Sequence, residues 1–229
     1  MSPDGGGVWA VLAAAGRGER LGDDRPKAFA RLGELPLLAE PLRRLDESDW
    51  VERIVIAAPP GWEEPCILLA EELGAGKVAS VIPGGASRAE SVRAALAEVA
   101  EDAAVVLVHD AARPLLPEDV IERIIAPLSE GWEAVVPALP ILDTVKRVRG
   151  DEVVETLDRE SLVAAQTPQA FLAESLRGAM ASNSELQAPA TDCASLVEAR
   201  GGRVKVVRGD ARLLKVTSPA DLELVASWL

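Results

Sequence analysis

Glycines and basic side chains are concentrated in one short stretch near the start of the chain, directly behind an apolar run. The stretch LAAAGRGERLGDDRPK, residues 12–27, contains three glycines, three arginines and one lysine. A Gly-rich turn lets backbone N–H groups approach a phosphate, and nearby cations offset the charge of a triphosphate. The stretch therefore predicts a nucleotide phosphate site built from glycine backbone and four basic side chains, Arg17, Arg20, Arg25 and Lys27.

The glycine spacing separates this stretch from two common nucleotide motifs. Gly16, Gly18 and Gly22 give G-x-G-x-x-x-G, and no acidic residue ends the second predicted strand, so the dinucleotide-binding pattern is not met. No Gly-Lys-Ser or Gly-Lys-Thr follows, so the stretch is not a P-loop. A dehydrogenase is thus disfavoured. A module that binds a nucleotide without catalysis stays open as an alternative.

A histidine, an aspartate and an arginine follow another apolar run, in VLVHDAARP at residues 106–114. Asp110 ends the predicted strand, where a carboxylate is placed to hold Mg²⁺ or a sugar hydroxyl, and Arg113 is placed to hold a second anion. His109 is the only histidine of the chain, which excludes a Ser-His-Asp triad and a two-histidine metal site. We predict a hydrogen-bonded structural role for His109.

Composition limits the class of protein. The 229 residues are 48% hydrophobic, and 37 acidic against 24 basic side chains give a net charge of -13, which argues against nucleic acid as a partner. The longest apolar run, residues 8–15, is far shorter than the roughly 20 residues of a membrane span. Residues 1–7 lack the pattern of a signal peptide, so we expect a cytoplasmic protein. Cys66 and Cys193 stand apart, and we predict two buried thiols.

Short β-branched runs alternate with helical patterns along the chain. The predicted strands are VWAVLAA, RIVIAAP, KVASVIP, AVVLVHD, EAVVPAL and RVKVVRG. Residues 87–100 form the clearest helical pattern, with Ser87 as N-cap and Glu90 three positions later. Continuous apolar strands separated by helices indicate one α/β domain over 1–229, with a mainly parallel sheet covered on both faces.

One region departs from this alternation. Residues 143–159 alternate polar and apolar side chains around Arg149-Gly150-Asp151, which predicts a β-hairpin. A two-stranded ribbon buries little by itself, so we expect it to pack on its own domain or on a second subunit.

Eight motifs, in the same order along the chain, together resemble one enzyme family. They are LAAAGRGERLG with Pro26-Lys27, GGASRAESV, VHDAARP, DTVKR, LDR, QTPQAF, TDCAS and LLKVTSPADL. The chain resembles the 2-C-methyl-D-erythritol 4-phosphate cytidylyltransferases. The resemblance implies a Rossmann-like nucleotidyltransferase fold of three α/β/α layers, with CTP and a sugar-alcohol phosphate as substrates and Mg²⁺ as cofactor. It also implies a homodimer in which a β-arm, residues 140–160, crosses to the partner subunit.

The resemblance also assigns site residues by their positions in the motifs. Those matching catalytic cations are Arg20, Lys27 and Lys215. Those matching nucleotide contacts are Ala14, Ala15, Gly16, Gly85, Ser91 and Asp110. Those matching acceptor contacts are Asp110, Arg113, Thr144, Arg159, Thr167, Thr191 and Lys215. Asp110 also matches the metal region, as a ligand bound directly or through water.

Two positions depart from the family pattern, and some alternatives stay open. Ala86 stands where an acidic residue often helps contact the base, and Cys193 stands where an acidic residue follows Thr191-Asp192; we expect position 193 to be peripheral. Lys215 also suits an edge strand, where a lysine blocks pairing. A cytidylyltransferase for another sugar-alcohol phosphate, such as ribitol 5-phosphate, is the nearest rival function.

Overall fold

A computed structural model describes residues 7–16, 25–182 and 192–229, in which a central sheet lies between two layers of helices. The strands are β1 (Val8–Ala13), β2 (Arg31–Leu32), β3 (Leu35–Pro36), β4 (Arg53–Ala58), β5 (Val78–Pro83), β6 (Val105–Asp110), β7 (Ala134–Pro140), β8 (Lys146–Arg149), β9 (Glu152–Thr156), β10 (Val163–Ala165), β11 (Gln169–Leu172) and β12 (Val204–Arg208). The α-helices are α1 (Ala39–Glu47), α2 (Glu63–Glu72), α3 (Arg88–Leu96), α4 (Glu118–Ile125), α5 (Ala173–Ser182), α6 (Ala194–Ala199) and α7 (Pro219–Ala226).

The described part of the chain contains one eight-stranded sheet with the order β5-β4-β1-β6-β11-β7, and β10 and β12 also pair with β7. The pairs β1–β4, β1–β6, β4–β5 and β7–β12 are parallel. Only β10 and β11 run against the other strands of this described sheet. The prediction of a mainly parallel sheet is confirmed, and the carboxyl ends of β1, β4, β5 and β6 meet at one edge.

The two faces of the sheet carry separate hydrophobic cores. Along β1, Ala10 and Leu12 face a core that contains residues of α1, α2 and α4. Val11 points to the other face, into a core that contains residues of α3, α5 and α6. Successive side chains of a strand alternate between faces, so apolar strands of this kind need helices on both sides. The three-layer prediction is therefore confirmed.

Side-chain caps fix where two of the helices begin. The Ser87 hydroxyl accepts a hydrogen bond from the Glu90 amide at the start of α3. Ser218 and Asp221 form a reciprocal capping box at the start of α7. These caps satisfy backbone donors that have no partner inside the helix. The pattern at 87–100 is correct in position but longer than α3, which ends at Leu96.

The predicted hairpin is present, and the described part of its own chain does not cover it. Strands β8 and β9 pair antiparallel, with Arg149 opposite Glu152 and with Gly150 in the turn at a φ of 59°. Every residue of both strands is exposed. The hairpin forms a separate two-stranded sheet rather than joining the central one.

Two further expectations concern the membrane and the thiols. Among the described residues, no helix combines the length and the apolar character that crossing a bilayer requires. Cys66 and Cys193 are both buried and form no disulfide, as predicted.

Candidate active site

A large cavity lies at the edge of the sheet where β1, β4, β5 and β6 end. Its volume is about 1110 Å³, and its walls are formed by the segments that follow these four strands. The lining includes 13–16 from the end of β1 onward, 59–60 after β4, 84–88 after β5 and 110–112 from the end of β6 onward. Ligands of open α/β sheets bind at this edge, outside the carboxyl ends of the strands.

The segments after β1 and β5 approach each other closely at one wall of the cavity. The Ala14 amide donates to the Ala57 carbonyl at 2.9 Å, and the Gly84 amide donates to the Ala58 carbonyl at 2.8 Å. A methyl group on Gly84 would collide with the side chain of Ala15. Glycine at position 84 is therefore required, because any larger side chain would push the two segments apart. Ala14, Ala15 and Gly16, predicted as nucleotide contacts, all line the cavity.

The Ser91 side chain holds Gly85 in place by a hydrogen bond to its backbone. Its hydroxyl oxygen accepts from the Gly85 amide at 3.0 Å, and its hydroxyl donates to the Ser87 carbonyl at 2.9 Å. Ser91 is buried, whereas Ala86 is exposed, and the Ala86 amide donates to Glu90 at 2.8 Å. Gly85 and Ser91, predicted as nucleotide contacts, both line the cavity, and the hydrogen bonds of Ser91 also fix the shape of the turn.

Two of the predicted catalytic cations reach this cavity from distant parts of the sequence. Lys27 opens a 3₁₀ turn over Lys27–Phe29, and Lys215 lies just before α7. The Phe29 and Trp62 rings are in tilted contact, with centroids 4.7 Å apart, and Trp62 also lines the cavity. This contact joins the turn that carries Lys27 to the segment after β4. Arg20, the third predicted cation, lies outside the described residues.

Asp110 stands between two cations at the end of β6. Its Oδ1 accepts from Arg88 Nε at 2.7 Å, and its Oδ2 accepts from Lys215 Nζ at 2.6 Å. Burial alone would raise the pKa of Asp110, but the charges and hydrogen bonds of Arg88 and Lys215 outweigh it and hold that pKa well below its usual range. The carboxylate is therefore ionised, and Arg88, Asp110 and Lys215 together carry a net charge of +1.

Arg88 is a cavity residue that the sequence analysis did not single out. It is the first residue of α3, and its guanidinium donates to Asp110 and, at 3.3 Å, to the buried Cys193 sulfur. Burial raises the pKa of the Cys193 thiol, so the sulfur is a neutral partner for Arg88. Cys193, which we expected to be peripheral, is not in the described cavity lining, but its side chain contacts an arginine of the cavity wall. The sequence signal that could have identified Arg88 is its position shortly after the Gly84-Gly85 pair.

The predicted acceptor residues are distributed over three locations. Thr167 is buried beside Asp110, whose amide donates to the Thr167 hydroxyl oxygen at 3.0 Å. Arg113 donates to the carbonyls of Leu213 and Ala165, and it is not in the described cavity lining. Thr144 and Arg159 lie at the base of the hairpin, both exposed and both outside that described lining. Thr191 lies outside the described residues.

His109 lies at the centre of this region, fully buried beneath Asp110. Burial is the main reason that the pKa of His109 is lowered to about 4; the charge of Asp110 opposes this effect but does not offset it. His109 is therefore neutral near pH 7, and the predicted hydrogen-bonded role fits its position.

The lowered pKa of His109 predicts a loss of stability in mild acid. An unfolded histidine has a pKa of about 6.5, so below that pH the unfolded chain binds a proton that the folded chain does not. Between pH 7 and pH 5, His109 should remove about 2 kcal/mol from the free energy of unfolding. Urea unfolding of wild type and His109→Gln at both pH values measures this. Equal pH dependence in the two proteins would contradict the prediction.

Comparisons with known proteins agree over nearly the whole chain. Residues 8–229 match the profile of the family described as IspD: 2-C-methyl-D-erythritol 4-phosphate cytidylyltransferase. A protein of that name from Nocardia farcinica is 46% identical over 225 residues, which cover 98% of this chain and 94% of the relative. Another of that name, from Frankia casuarinae, is 46% identical over 97% of this chain and 81% of the relative.

Solved structures give the same result at the level of the fold. The crystal structure of 2-C-methyl-D-erythritol 4-phosphate cytidylyltransferase from Thermus thermophilus has a TM-score of 0.78 and 33% identity, covering 95% of this chain and 96% of that one. The 4-diphosphocytidyl-2C-methyl-D-erythritol synthase of Anaerococcus prevotii has a TM-score of 0.85 and 25% identity, covering 98% and 96%.

Proposed function

Because the chain belongs to the 2-C-methyl-D-erythritol 4-phosphate cytidylyltransferase family, we propose that the cavity at the edge of its sheet is the active site. The enzyme joins CTP and 2-C-methyl-D-erythritol 4-phosphate to give 4-diphosphocytidyl-2-C-methyl-D-erythritol and pyrophosphate, in non-mevalonate isoprenoid biosynthesis. One observation carries the assignment of the cavity: Lys27, Asp110 and Lys215, from three separate parts of the sequence, line it together with Gly16 and Gly85.

The reaction needs charge neutralisation more than it needs a base. An oxygen of the acceptor phosphate forms a bond to the α-phosphorus of CTP, while the bond from that phosphorus to its bridging oxygen breaks and pyrophosphate leaves with the electron pair. A phosphate monoester is already largely dianionic near neutral pH. The obstacle is therefore the approach of one anion to another, and catalysis rests on positioning and electrostatic stabilisation.

Lysine side chains of the cavity are suited to that task. We assign Lys27 and Lys215, together with Arg20, to the phosphates of CTP and of the acceptor, where they offset charge that grows in the transition state. The ion pair with Asp110 holds the Lys215 ammonium at the cavity wall, which removes the need to order a long side chain during the reaction. The glycine and alanine backbone at 14–16 and Gly85 would border the nucleoside.

Asp110 is the carboxylate that would hold Mg²⁺. Each of its oxygens already accepts one hydrogen bond from a cation, and the described residues contain no group of three or more acidic, histidine or cysteine side chains arranged for a metal. The phosphates would supply most of the ligands, with Asp110 joined through water, a usual mode for Mg²⁺. The residues fit this mode. Bound there, the ion would neutralise phosphate charge.

Turnover should stop when divalent cations are removed. The side chains of the cavity cannot by themselves align three phosphates, so we expect no measurable pyrophosphate release in excess EDTA and full recovery when excess Mg²⁺ is added. Thermal unfolding in EDTA is the control, because an unchanged midpoint separates loss of the ion from loss of the fold. Undiminished turnover in EDTA would remove the metal from the mechanism.

We also propose that the enzyme acts as a homodimer through the hairpin. Val148, Val153 and Val154 are exposed on β8 and β9, and a monomer gains nothing from an uncovered apolar ribbon. Thr144 and Arg159 lie at its base, away from the cavity of their own chain. A crossing arm would bring both residues to the acceptor in the partner's cavity.

The state of the two cysteines bears on where in the cell the enzyme acts. We propose that the enzyme is cytoplasmic, since Cys66 and Cys193 are unpaired buried thiols of the kind found in reducing compartments. Its net charge of -13 argues against a nucleic-acid partner, so small anionic substrates must be held by local cations.

A pyrophosphate-release assay with CTP and two acceptors tests the function. We expect a far higher kcat/KM with 2-C-methyl-D-erythritol 4-phosphate than with ribitol 5-phosphate, because relatives at 41–46% identity carry the methylerythritol name. CTP binding without pyrophosphate release from either acceptor would instead indicate a non-catalytic module. A preference for ribitol 5-phosphate would select the rival cytidylyltransferase.

A further inference from the structure

The buried side chain of His109 connects the turn over residues 110–113, which carries cavity residues, to Thr167 on the segment beside it. Its Nε2 lies 3.0 Å from the Arg113 carbonyl, and its Nδ1 lies 3.3 Å from the Thr167 hydroxyl. The same hydroxyl accepts from the Asp110 amide at 3.0 Å. The segment before α7 is tied to this group because the Val216 amide donates to the Ala112 carbonyl at 2.8 Å.

The hydrogen-bond chemistry fixes where each proton lies. A carbonyl only accepts, so His109 Nε2 carries the proton that it donates to Arg113. A neutral imidazole then has a lone pair on Nδ1, and the Thr167 hydroxyl donates to it. The Thr167 oxygen in turn accepts from the Asp110 amide. The chain of donors therefore runs from the Asp110 amide through Thr167 to His109, and from His109 to Arg113.

We propose that His109 is a positioning residue for the reaction, acting through Thr167 on the turn over residues 110–113. It holds both ends of that turn, and the turn carries Asp110, the partner of Arg88 and Lys215. This revises the role of Thr167: its hydroxyl proton goes to His109, so it is not available to donate to the acceptor.

The geometry explains why a structural histidine affects turnover. Lys215 is oriented by Asp110, and Arg113 is tied by its own guanidinium to the segments around 165 and 213. A small displacement of the turn moves all of these groups relative to the phosphates, and a misplacement of about 1 Å can cost roughly 10²-fold in rate. His109 reaches the chemistry only through this turn and touches neither substrate.

The proton positions can be read directly because the chain has one histidine. In a long-range ¹H–¹⁵N spectrum of ¹⁵N-histidine-labelled wild type near pH 7, we expect a proton on Nε2 and a hydrogen-bonded, unprotonated Nδ1. Thr167→Val should shift the Nδ1 signal and leave the Nε2 proton in place. A proton on Nδ1, or an Nδ1 signal indifferent to Thr167→Val, would overturn the proposal whatever the activity of the variants.

Kinetics distinguish positioning from a purely structural role. His109→Gln and Thr167→Val should each lower kcat by roughly 10²-fold at 25 °C, and the double variant should lose little more, because the two residues act as one unit. Thr167→Ser should recover most of what Thr167→Val loses. Leu45→Ala, in a hydrophobic core and outside this hydrogen-bond network, is the control for destabilisation and should keep the wild-type kcat while folded.

The proposal rests on the activity assigned above, and the wild-type rate with both substrates tests that activity separately. If wild type turns over but folded His109→Gln keeps its kcat and KM, the proposal is wrong and the function stands. Losses that multiply in the double variant would also overturn it, because the two residues would then act independently.

Discussion

Replacement of Lys27 by alanine should lower kcat by roughly 10²–10³-fold while the protein stays folded. Lys27 lines the cavity at the start of the 3₁₀ turn, where its ammonium is suited to offset charge on the phosphates of CTP. That charge is redistributed as pyrophosphate leaves, so the loss should appear in kcat at saturating CTP and acceptor rather than in KM alone. Initial rates of pyrophosphate release measure the effect.

Arg31→Ala is the matched control for this prediction. Arg31 is an exposed cation four residues after Lys27, and its guanidinium donates to the nearby Gly33 carbonyl rather than lining the cavity. The two substitutions remove the same charge from the same region. Both should leave the thermal midpoint nearly unchanged, since a surface substitution usually alters stability by less than about 0.5 kcal/mol. A near-normal kcat for folded Lys27→Ala would make Lys27 a surface residue.

The strands and the place of the cavity could be predicted because both depend on local pattern. All six predicted strands are present, from β1 to β12. Continuous apolar runs can be satisfied only inside a sheet with two covered faces. Once the sheet is parallel, the residues after its strands must share one edge. That is why Gly16, Gly85 and Asp110, roughly 70 and 25 positions apart in the chain, could be expected together.

The ion pairs between side chains at this edge of the sheet could not be predicted from local pattern. Arg88 and Asp110 are 22 residues apart, and Lys215 is 105 residues from Asp110, so no local period relates them. The antiparallel strand β11 was also not predicted: it has only four residues, and it is defined by its pairing with β6 and β7. Whether so short a segment forms a strand depends on the strands that it pairs with in the folded protein.

The hairpin is a case in which local pattern predicted the element but not its environment. Alternation around Gly150 predicted β8 and β9, and the structure confirms their pairing. This alternation does not specify what covers the exposed valines, and in the dimer proposed above it is the partner subunit. At the base of the hairpin, the Arg159 guanidinium donates to the Leu142 carbonyl, a contact between the two ends of the arm that the alternation did not predict either.

Two inactive variants should restore activity when they share a dimer. If the arm crosses, each active site combines Lys27 of one subunit with Arg159 of the other. Lys27→Ala and Arg159→Ala homodimers should each be nearly inactive. In a mixed dimer, one site receives both substitutions and the other receives neither, so one intact site is rebuilt.

The expected recovery follows from two-fold symmetry. Random exchange makes about half of the dimers mixed, and each has one intact site of two, so the mixture should regain about a quarter of the wild-type activity. The variants are unfolded and refolded together, with wild type treated alike as the reference for refolding yield. Arg147→Ala is the control within the arm, since Arg147 pairs with Glu155 on the exposed hairpin and has no assigned part in the site.

A control mixture contains Arg147→Ala in place of Arg159→Ala. It distinguishes a loss specific to a site residue from a general effect of substitutions in the arm. Arg147→Ala homodimers should be active on their own, so refolding them with Lys27→Ala should give only the activity expected from dilution. If the Lys27→Ala and Arg159→Ala mixture regains nothing while wild type refolds, Arg159 acts within its own chain or the subunits do not exchange as a dimer. A sedimentation measurement of the refolded wild type then distinguishes the two, because a monomer excludes the crossing arm altogether, whereas a dimer without complementation places Arg159 and Lys27 in the same subunit's site.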